Sequence, residues 1–258
     1  MTDTGSAIDR RAFLKLGAAA SGLAIGCGAE GPESEAPAAP GRMGSRPLGG
    51  TDLEVSELSF GAHGVDNPPL MAAAVEAGIN TFATSGQYLD GREEEALGVT
   101  RARLGTPRDQ VVIVTGDEIG RRTTADSVVG SIEKSLTRLG TDVLDVYYNA
   151  MVETTEDVLV DGLFEGFERA RQAGKVRCLG LSGHHGGLED CLESALGCGR
   201  YGVFFVKYDF VSYPGLDGLL ERAAAQGVGA LVFKTTAGNR QHEIRDLESG
   251  GLSFPQAT

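Results

Sequence analysis

The sequence alternates between short apolar runs and segments of helical length. Apolar runs of strand length begin at seven places, near Leu58, Asn80, Val111, Val143, Val176, Val203 and Gly229. Helical patterns lie between them, over residues 70–77, 93–104, 125–139, 156–173, 188–195 and 219–225. Strands and helices that alternate in this way form βαβ units, with a parallel sheet inside and helices outside. The sequence therefore predicts an α/β fold.

Two segments support this interpretation in detail. Within residues 125–139, apolar side chains recur at helical spacing and predict a stripe that faces a core: Val128, Val129, Ile132, Leu136 and Leu139. Residues 203–206 are continuously apolar, as expected for a strand buried on both faces.

A closed barrel of the (β/α)8 TIM type is the architecture that we expect. No G-x-G-x-x-G fingerprint opens a helix after the first strand, which disfavours a Rossmann sheet, although an open Rossmann or flavodoxin-like sheet remains the alternative. The pattern stops after the seventh strand, because mostly polar residues follow Gly238. We therefore expect that the barrel is truncated after strand seven, or else that it is open or closed by another chain. A gap between strands seven and one would leave two unpaired strand edges.

Composition excludes some classes of partner. The formal net charge is −13, which argues against a nucleic-acid-binding surface, since such a surface needs a positive field. No run after residue 27 is long and apolar enough to span a bilayer. Cys191 and Cys198 are free thiols in the simplest interpretation, and a disulfide between them is the alternative.

The first 27 residues have the character of a targeting segment. Residues 10–15 read R-R-A-F-L-K and resemble the twin-arginine export signature R-R-x-F-L-K, and a small, weakly apolar run follows from Leu16 to Gly26. This resemblance implies export by the twin-arginine route and a periplasmic or membrane-anchored protein.

The end of this segment predicts a membrane tether. The run A-I-G-C ends at Cys27 and resembles a lipoprotein cleavage box, in which the cysteine is lipid-modified, although Ala24 stands where Leu is usual. Residues 28–42 are rich in Gly, Ala, Pro and Glu, which predicts a flexible linker. The folded domain is then expected over residues 43–258.

The order and spacing of several motifs resemble the aldo-keto reductase superfamily. Residues 46–55, R-P-L-G-G-T-D-L-E-V, resemble the opening hairpin that plugs the bottom of that family's barrel. Residues 78–97, G-I-N-T-F-A-T-S-G-Q-Y-L-D-G-R-E-E-E-A-L, resemble its second βα unit. Strand patterns over 109–115, 139–147 and 177–182 continue the match, so the resemblance covers about residues 46–238.

This resemblance implies a catalytic tetrad, most of which the chain lacks. In the family a Tyr gives a proton to the substrate carbonyl while NADPH gives a hydride, and an Asp, a Lys and a His assist. The Tyr falls on Tyr88, but the Asp falls on Ala83, the Lys on Gly116 and the His on Ala150. Tyr88 is thus the one catalytic candidate, and an aromatic packing or lid residue is the alternative interpretation.

The cofactor side of the family's site is only partly matched. The Ser of its nicotinamide-binding Ser-Asn pair falls on Ser182, whereas the Asn becomes Gly183 and a later Gln becomes Phe205. We assign Ser182 and Lys234, which follows the seventh strand, as cofactor-binding candidates for NADPH. Ser182 could equally be a turn residue.

Other polar residues follow the predicted strands. His63, His184, His185 and Asp209 could ligate a metal, but strands one and five lie opposite one another in an eight-stranded barrel, so we predict no metal site. Lys207 could form a Schiff base if buried, although pairing with a carboxylate is the simpler expectation.

The sequence thus predicts an exported aldo-keto reductase-like protein with a substituted tetrad and weak or no activity on small carbonyl substrates. Two alternatives remain. One is an active oxidoreductase that uses Tyr88 or a histidine as its acid, and the other is a non-enzymatic binding or interaction module on a barrel scaffold.

Overall fold

The computed structural model describes residues 43–208, 213 and 215–235 of the chain. A parallel sheet curls into a half-barrel there, with helices on its outer side. Two 3-10 turns lie at Tyr88–Gly91 and Arg108–Gln110. The other elements, in chain order, are β1 (Ser45–Pro47), β2 (Glu54–Ser56), β3 (Phe60–Gly61), α1 (Pro68–Glu76), β4 (Thr81–Ala83), α2 (Arg92–Leu104), β5 (Val112–Glu118), α3 (Ala125–Leu139), β6 (Leu144–Ala150), α4 (Thr155–Val158), α5 (Asp161–Gln172), β7 (Val176–Gly183), α6 (Leu188–Cys198), β8 (Val203–Lys207), α7 (Leu216–Ala225) and β9 (Gly229–Phe233).

The seven strands from β3 to β9 pair in chain order, and every pairing is parallel. This confirms the predicted α/β repeat and its barrel-type curvature. Among the described residues β3 and β9 are the two edges of this sheet, so seven strands are present where a complete barrel of this type has eight.

Several element boundaries follow directly from local sequence signals. The helix predicted over 125–139 is α3, and Thr124 caps its N-terminus with a hydroxyl that accepts the Ser127 N–H at 3.2 Å. Gly140 caps its C-terminus in the left-handed conformation that favours glycine. Four of the five residues of its predicted stripe are buried, and Val129 is partly exposed.

The single helix predicted over 156–173 is wrong. The structure has two helices there, α4 and α5, because Leu159 and Val160 take non-helical backbone angles. Val158 and Val160 are both buried while Leu159 is 51 % exposed. Burial at alternate positions requires extended backbone, so packing of the two valines overrides the helical pattern.

Strand β3, the first strand of the parallel sheet, is also shorter than its apolar run suggests. It covers only Phe60–Gly61, and Leu58 is 63 % exposed. The run predicted to be buried on both faces, residues 203–206, lies in β8 and is buried except at Phe205, which is partly exposed. Phe205 lines the pocket at the end of the barrel, which explains its exposure.

The N-terminal hairpin closes the lower end of the half-barrel, as predicted. β1 and β2 pair antiparallel, and Leu48, Leu53 and Val55 are buried with the inward-facing residues of the strands. The tip docks on the start of β9, where the Gly50 N–H donates to the Gly227 carbonyl at 2.7 Å. A Cβ on Gly229 would lie 2.7 Å from Leu48 Cγ, so glycine is required for this close approach.

A second and larger core fills the space between the sheet and the helices. Cys178, Cys191 and Cys198 are free thiols, so the alternative disulfide is not formed. Among the described residues, no helix has the length and apolar character to cross a membrane. Residues 1–42 lie outside the described part, and the predictions for the signal, the tether and the linker fall on them.

Candidate functional site

A pocket of about 440 Å³ opens at the carboxyl ends of the sheet strands, and it is lined by residues that lie in or directly after each of the seven strands. This is the end of a parallel barrel where catalytic residues are usually placed. Tyr88, Ser182 and Lys234, the three sequence-predicted site residues, all line this pocket. Two hollows of about 520 and 510 Å³ elsewhere on the surface contain none of them.

Tyr88 lies in the 3-10 turn after β4 and is half-buried. Its ring meets the His63 ring edge to face, with centroids 4.5 Å apart. Burial raises the pKa of Tyr88 above its usual value, and the Glu93 carboxylate adds to this, while a hydrogen bond with the Tyr148 hydroxyl opposes it. Tyr88 is therefore a weaker acid than an ordinary phenol in this pocket.

The loop that carries Tyr88 is held in an unusual conformation. Leu89, Asp90 and Gly91 have φ values of 48°, 57° and 86°, a region that only glycine adopts without strain. The Arg138 guanidinium packs against Gly91, where a Cβ would lie 2.3 Å from its Cζ. Arg138 also donates to the Gly86 carbonyl at 3.1 Å, so one side chain holds both ends of the loop.

Arg138 is in turn held by a buried carboxylate. Glu94 is fully buried, and its Oε2 accepts a hydrogen bond from Arg138 at 3.1 Å. Its Oε1 accepts from the Thr115 hydroxyl at 2.6 Å. Both carboxylate oxygens are thus paired, which a buried charge needs if it is not to destabilise the fold.

The three positions matched to the missing tetrad members carry no polar side chain. Ala83 and Ala150 both line the pocket, where each presents only a methyl group. Gly116 pairs with Tyr148 across β5 and β6, and a Cβ there would lie 2.1 Å from the Tyr148 carbonyl oxygen and 2.7 Å from its ring. No side chain fits at Gly116 without a shift of the backbone.

Tyr148 is the pocket residue that sequence reasoning missed. Its hydroxyl donates to the Thr84 carbonyl at 2.7 Å, and burial raises its pKa well above the usual value. The signal for it was present in the strand alternation, because Val146, Tyr148 and Ala150 share the inward face of β6. Its contact with Gly116 depends on strand pairing and leaves no trace in the sequence.

A second buried carboxylate lies near Tyr88 and was also missed. Glu93 is fully buried, and its Oε1 accepts the Gly64 N–H at 2.5 Å, which fixes the loop that carries His63. Its Oε2 is buried and finds no hydrogen-bond partner among the described residues. Burial raises the pKa of Glu93, while the Gly64 N–H and the nearby His63 oppose that rise.

The predicted cofactor residues lie on the other side of the pocket. Ser182 is 7 % exposed and lines the pocket from β7. Lys234 follows β9 with a left-handed φ of 56° and is exposed at the rim. Burial and the neighbouring Lys207 lower the pKa of Lys234, and burial followed by the charge of Lys234 lowers that of His184.

No metal centre forms in the part of the chain that the structure describes, because no three His, Cys, Asp or Glu side chains converge there. His184 and His185 stack with centroids 4.5 Å apart, and His185 Nε2 lies 3.5 Å from a Glu153 carboxylate oxygen. Asp209 lies outside the described residues. The Lys207 Nζ lies 5.5 Å from the centroid of the Tyr213 ring.

Comparison with known proteins identifies the family of this chain. Residues 65–237 match the family model described as the aldo/keto reductase family. The chain is 31% identical over 156 residues to the uncharacterized oxidoreductase YqkF of Bacillus subtilis, and 30% identical over 154 residues to an L-galactose dehydrogenase of Arabidopsis thaliana. Each alignment covers 54% of this chain and 49% or 48% of the relative, so the chain spans about half the length of these curated relatives.

Solved structures give the same result for the fold. An aldo-keto reductase structure from Pseudomonas aeruginosa superposes with a TM-score of 0.62 at 27% identity, covering 74% of this chain and 77% of the other. The holo form of the aldo-keto reductase AKR11C1 from Bacillus halodurans has a TM-score of 0.59 at 23% identity, covering 74% and 65%.

The chain belongs to the aldo/keto reductase family. Members of this family are oxidoreductases that generally use a reduced nicotinamide cofactor and act on small carbonyl compounds.

Proposed function

We propose that this chain is a carbonyl oxidoreductase of the aldo/keto reductase family in which hydride transfer is weak or absent. The observation that carries this proposal is the surroundings of Tyr88. The positions matched to its assisting Asp and His are the methyl groups of Ala83 and Ala150, and the position matched to its Lys is Gly116, which Tyr148 covers.

Carbonyl reduction needs a proton at the carbonyl oxygen as the hydride arrives. A Tyr is a poor acid near neutral pH, with a reference pKa of about 10, and a neighbouring cation is what lowers it. In this pocket burial instead raises the pKa of Tyr88, and the Glu93 carboxylate raises it further. Since general acid catalysis contributes roughly 10²–10⁴-fold, losing its activating groups removes much of the rate.

The lining of the pocket supports the binding of a nicotinamide ring. Ser182 is a hydroxyl-bearing residue of the lining that could contact the amide, and Phe205 and Phe233 are lining residues with aromatic rings, 4.8 Å apart, that could pack against the nicotinamide. Lys234 lies at the rim of the pocket, where its ammonium group could pair with a phosphate of the cofactor. A bound reduced nicotinamide would supply the hydride, and Ser182, Phe205 and Phe233 are the lining residues that would hold its ring.

The test is NADPH consumption by the purified chain with simple aldehydes. We expect no turnover above background and no measurable effect of Tyr88→Phe. Clear turnover that is lost in Tyr88→Phe contradicts the proposal. A fluorescence titration with NADPH alone then separates a binding module from an inert scaffold, because it reports binding without turnover.

A second candidate function, an active oxidoreductase, is favoured by the contact between His63 and Tyr88. The two rings meet at 4.5 Å, and Glu93 fixes the His63 loop beside them. In this alternative His63 supports proton delivery in place of the missing groups. His63→Ala would then abolish a turnover that the wild-type chain shows, whereas under the first proposal there is no turnover to lose.

We also propose that the chain is exported by the twin-arginine route and tethered through a lipid on Cys27. Support comes from the R-R-A-F-L-K motif at residues 10–15 and from the A-I-G-C run that ends at Cys27. The linker over residues 28–42 would let the barrel stand away from the membrane surface.

A further inference from the structure

Aromatic and imidazole side chains form an arc along the wall of the pocket. Proton transfer from Tyr88 would need only one of these rings. Aromatic residues make up only 6% of the chain, and it contains no Trp. Six rings nevertheless line this one pocket: His63, Tyr88, Tyr148, Phe205, Phe233 and His184. Such a concentration of rings indicates a surface suited to a flat, apolar ligand.

Successive rings of the arc touch one another. The Tyr148 and Phe205 centroids are 5.5 Å apart, those of Phe205 and Phe233 are 4.8 Å apart, and those of Phe233 and His184 are 6.0 Å apart. These separations lie in the range of favourable aromatic pairs, so the rings support each other's orientation. The planes of successive rings are inclined by 65°, 54° and 88°, so a planar ligand that packs on one ring meets the edges of its neighbours. Because the rings are already in contact, little entropy is lost in ordering them.

The charge in the pocket is uneven along this arc. Lys234 lies beside Phe233 at one end, and it is close enough to His184 to lower the pKa of that imidazole. Glu118 at the end of β5 is the carboxylate among the lining residues. Strands β6, β7 and β8 lie between β5 and β9, the strand that precedes Lys234. Among the described lining residues, this end of the pocket therefore carries a lysine and no carboxylate, in a chain with a formal net charge of −13.

We propose that the pocket binds planar aromatic carboxylates, with the ring on the Phe205–Phe233 wall and the carboxylate directed to Lys234. This inference rests on the proposed function, because it assigns a ligand class to the same pocket. Phe205 and Phe233 provide dispersion and aromatic contacts to the ring of the ligand. Lys234 favours a ligand that carries a negative charge.

Benzoate is the probe, and the full-length purified protein is titrated with it by calorimetry without NADPH. We expect a dissociation constant on the order of 1 mM for so small a ligand. Benzamide has the same ring without the charge and should bind about two- to fivefold more weakly, as expected for an exposed ion pair. Cyclohexanecarboxylate has the charge without a flat face and should bind about two- to tenfold more weakly.

Lys234→Met tests the charged end directly. It should remove the preference for benzoate over benzamide, while the control Lys134→Met, on the exposed face of α3, should keep it. Equal binding of all three probes, no binding of benzoate, or an unchanged preference in Lys234→Met would overturn the inference. NADPH turnover would contradict the proposed function alone, since benzoate binding is measured without the cofactor.

Discussion

A side chain at Gly116 should lower the free energy of unfolding, because the position has no room for a Cβ. Gly116→Ala adds a Cβ that would lie 2.1 Å from the Tyr148 carbonyl oxygen, an atom of the backbone that cannot rotate away. Overpacking of a core typically costs about 1–3 kcal/mol, and a contact with paired backbone belongs at the upper end, near 3 kcal/mol. At about 2–4 °C per kcal/mol for a chain of this size, the melting temperature should fall by about 6–12 °C.

Gly130→Ala is the matched control. Gly130 lies inside α3, its φ is not positive, and no atom lies within 4 Å of the position that a Cβ would occupy. Alanine is the better helix former by about 0.5–1 kcal/mol, so this variant should be slightly more stable than the wild type. The same chemical change thus has opposite signs at the two positions.

Urea and thermal unfolding of the full-length variants, followed by far-ultraviolet circular dichroism, measure both effects. A free energy of unfolding for Gly116→Ala within about 0.5 kcal/mol of the wild type, the range of an ordinary surface change, would refute the reasoning. It would also mean that β5 can accept a side chain there, so that a lysine could be restored beside Tyr88.

Three further predictions concern other parts of the chain. Replacing Arg10 and Arg11 by Lys should trap precursor in the cytoplasm, and normal export in cell fractionation would contradict the twin-arginine signal. Cys27→Ser should release the protein from the membrane fraction, whereas a wild-type protein that is already soluble would exclude the tether. Arg138→Met leaves the buried Glu94 carboxylate without its cation and should lower the free energy of unfolding by about 3 kcal/mol, measured by urea unfolding.

Much of the fold could be predicted from local patterns. The bounds of α3 follow from Thr124, Gly140 and the apolar spacing between them, and the starts of β7, β8 and β9 match the predicted positions. The helix predicted over 156–173 was wrong because helical spacing cannot reveal that Val158 and Val160 are both drawn into the core. Periodicity reports one local regularity and misses a break that tertiary packing imposes.

The site was less accessible to sequence reasoning. Tyr88, Ser182 and Lys234 line one pocket, because the carboxyl ends of parallel strands meet at one end of the sheet, while their roles in catalysis and cofactor binding stay predictions. The buried pairing of Glu94 with Arg138 was not predicted, since it joins residues far apart in the chain. Charged residues on helices are also expected at the surface, so nothing marked Glu94 as buried.

The docking of the hairpin on β9 has a consequence for how the protein is made. Leu48, Leu53 and Val55 are covered by strands that include β8 and β9, so the first element of the fold needs nearly the last ones for burial. During synthesis these side chains stay uncovered until the far end of the half-barrel has left the ribosome. Such non-local contacts slow folding and prolong the exposure of apolar surface, which makes the nascent hairpin a natural binding site for chaperones.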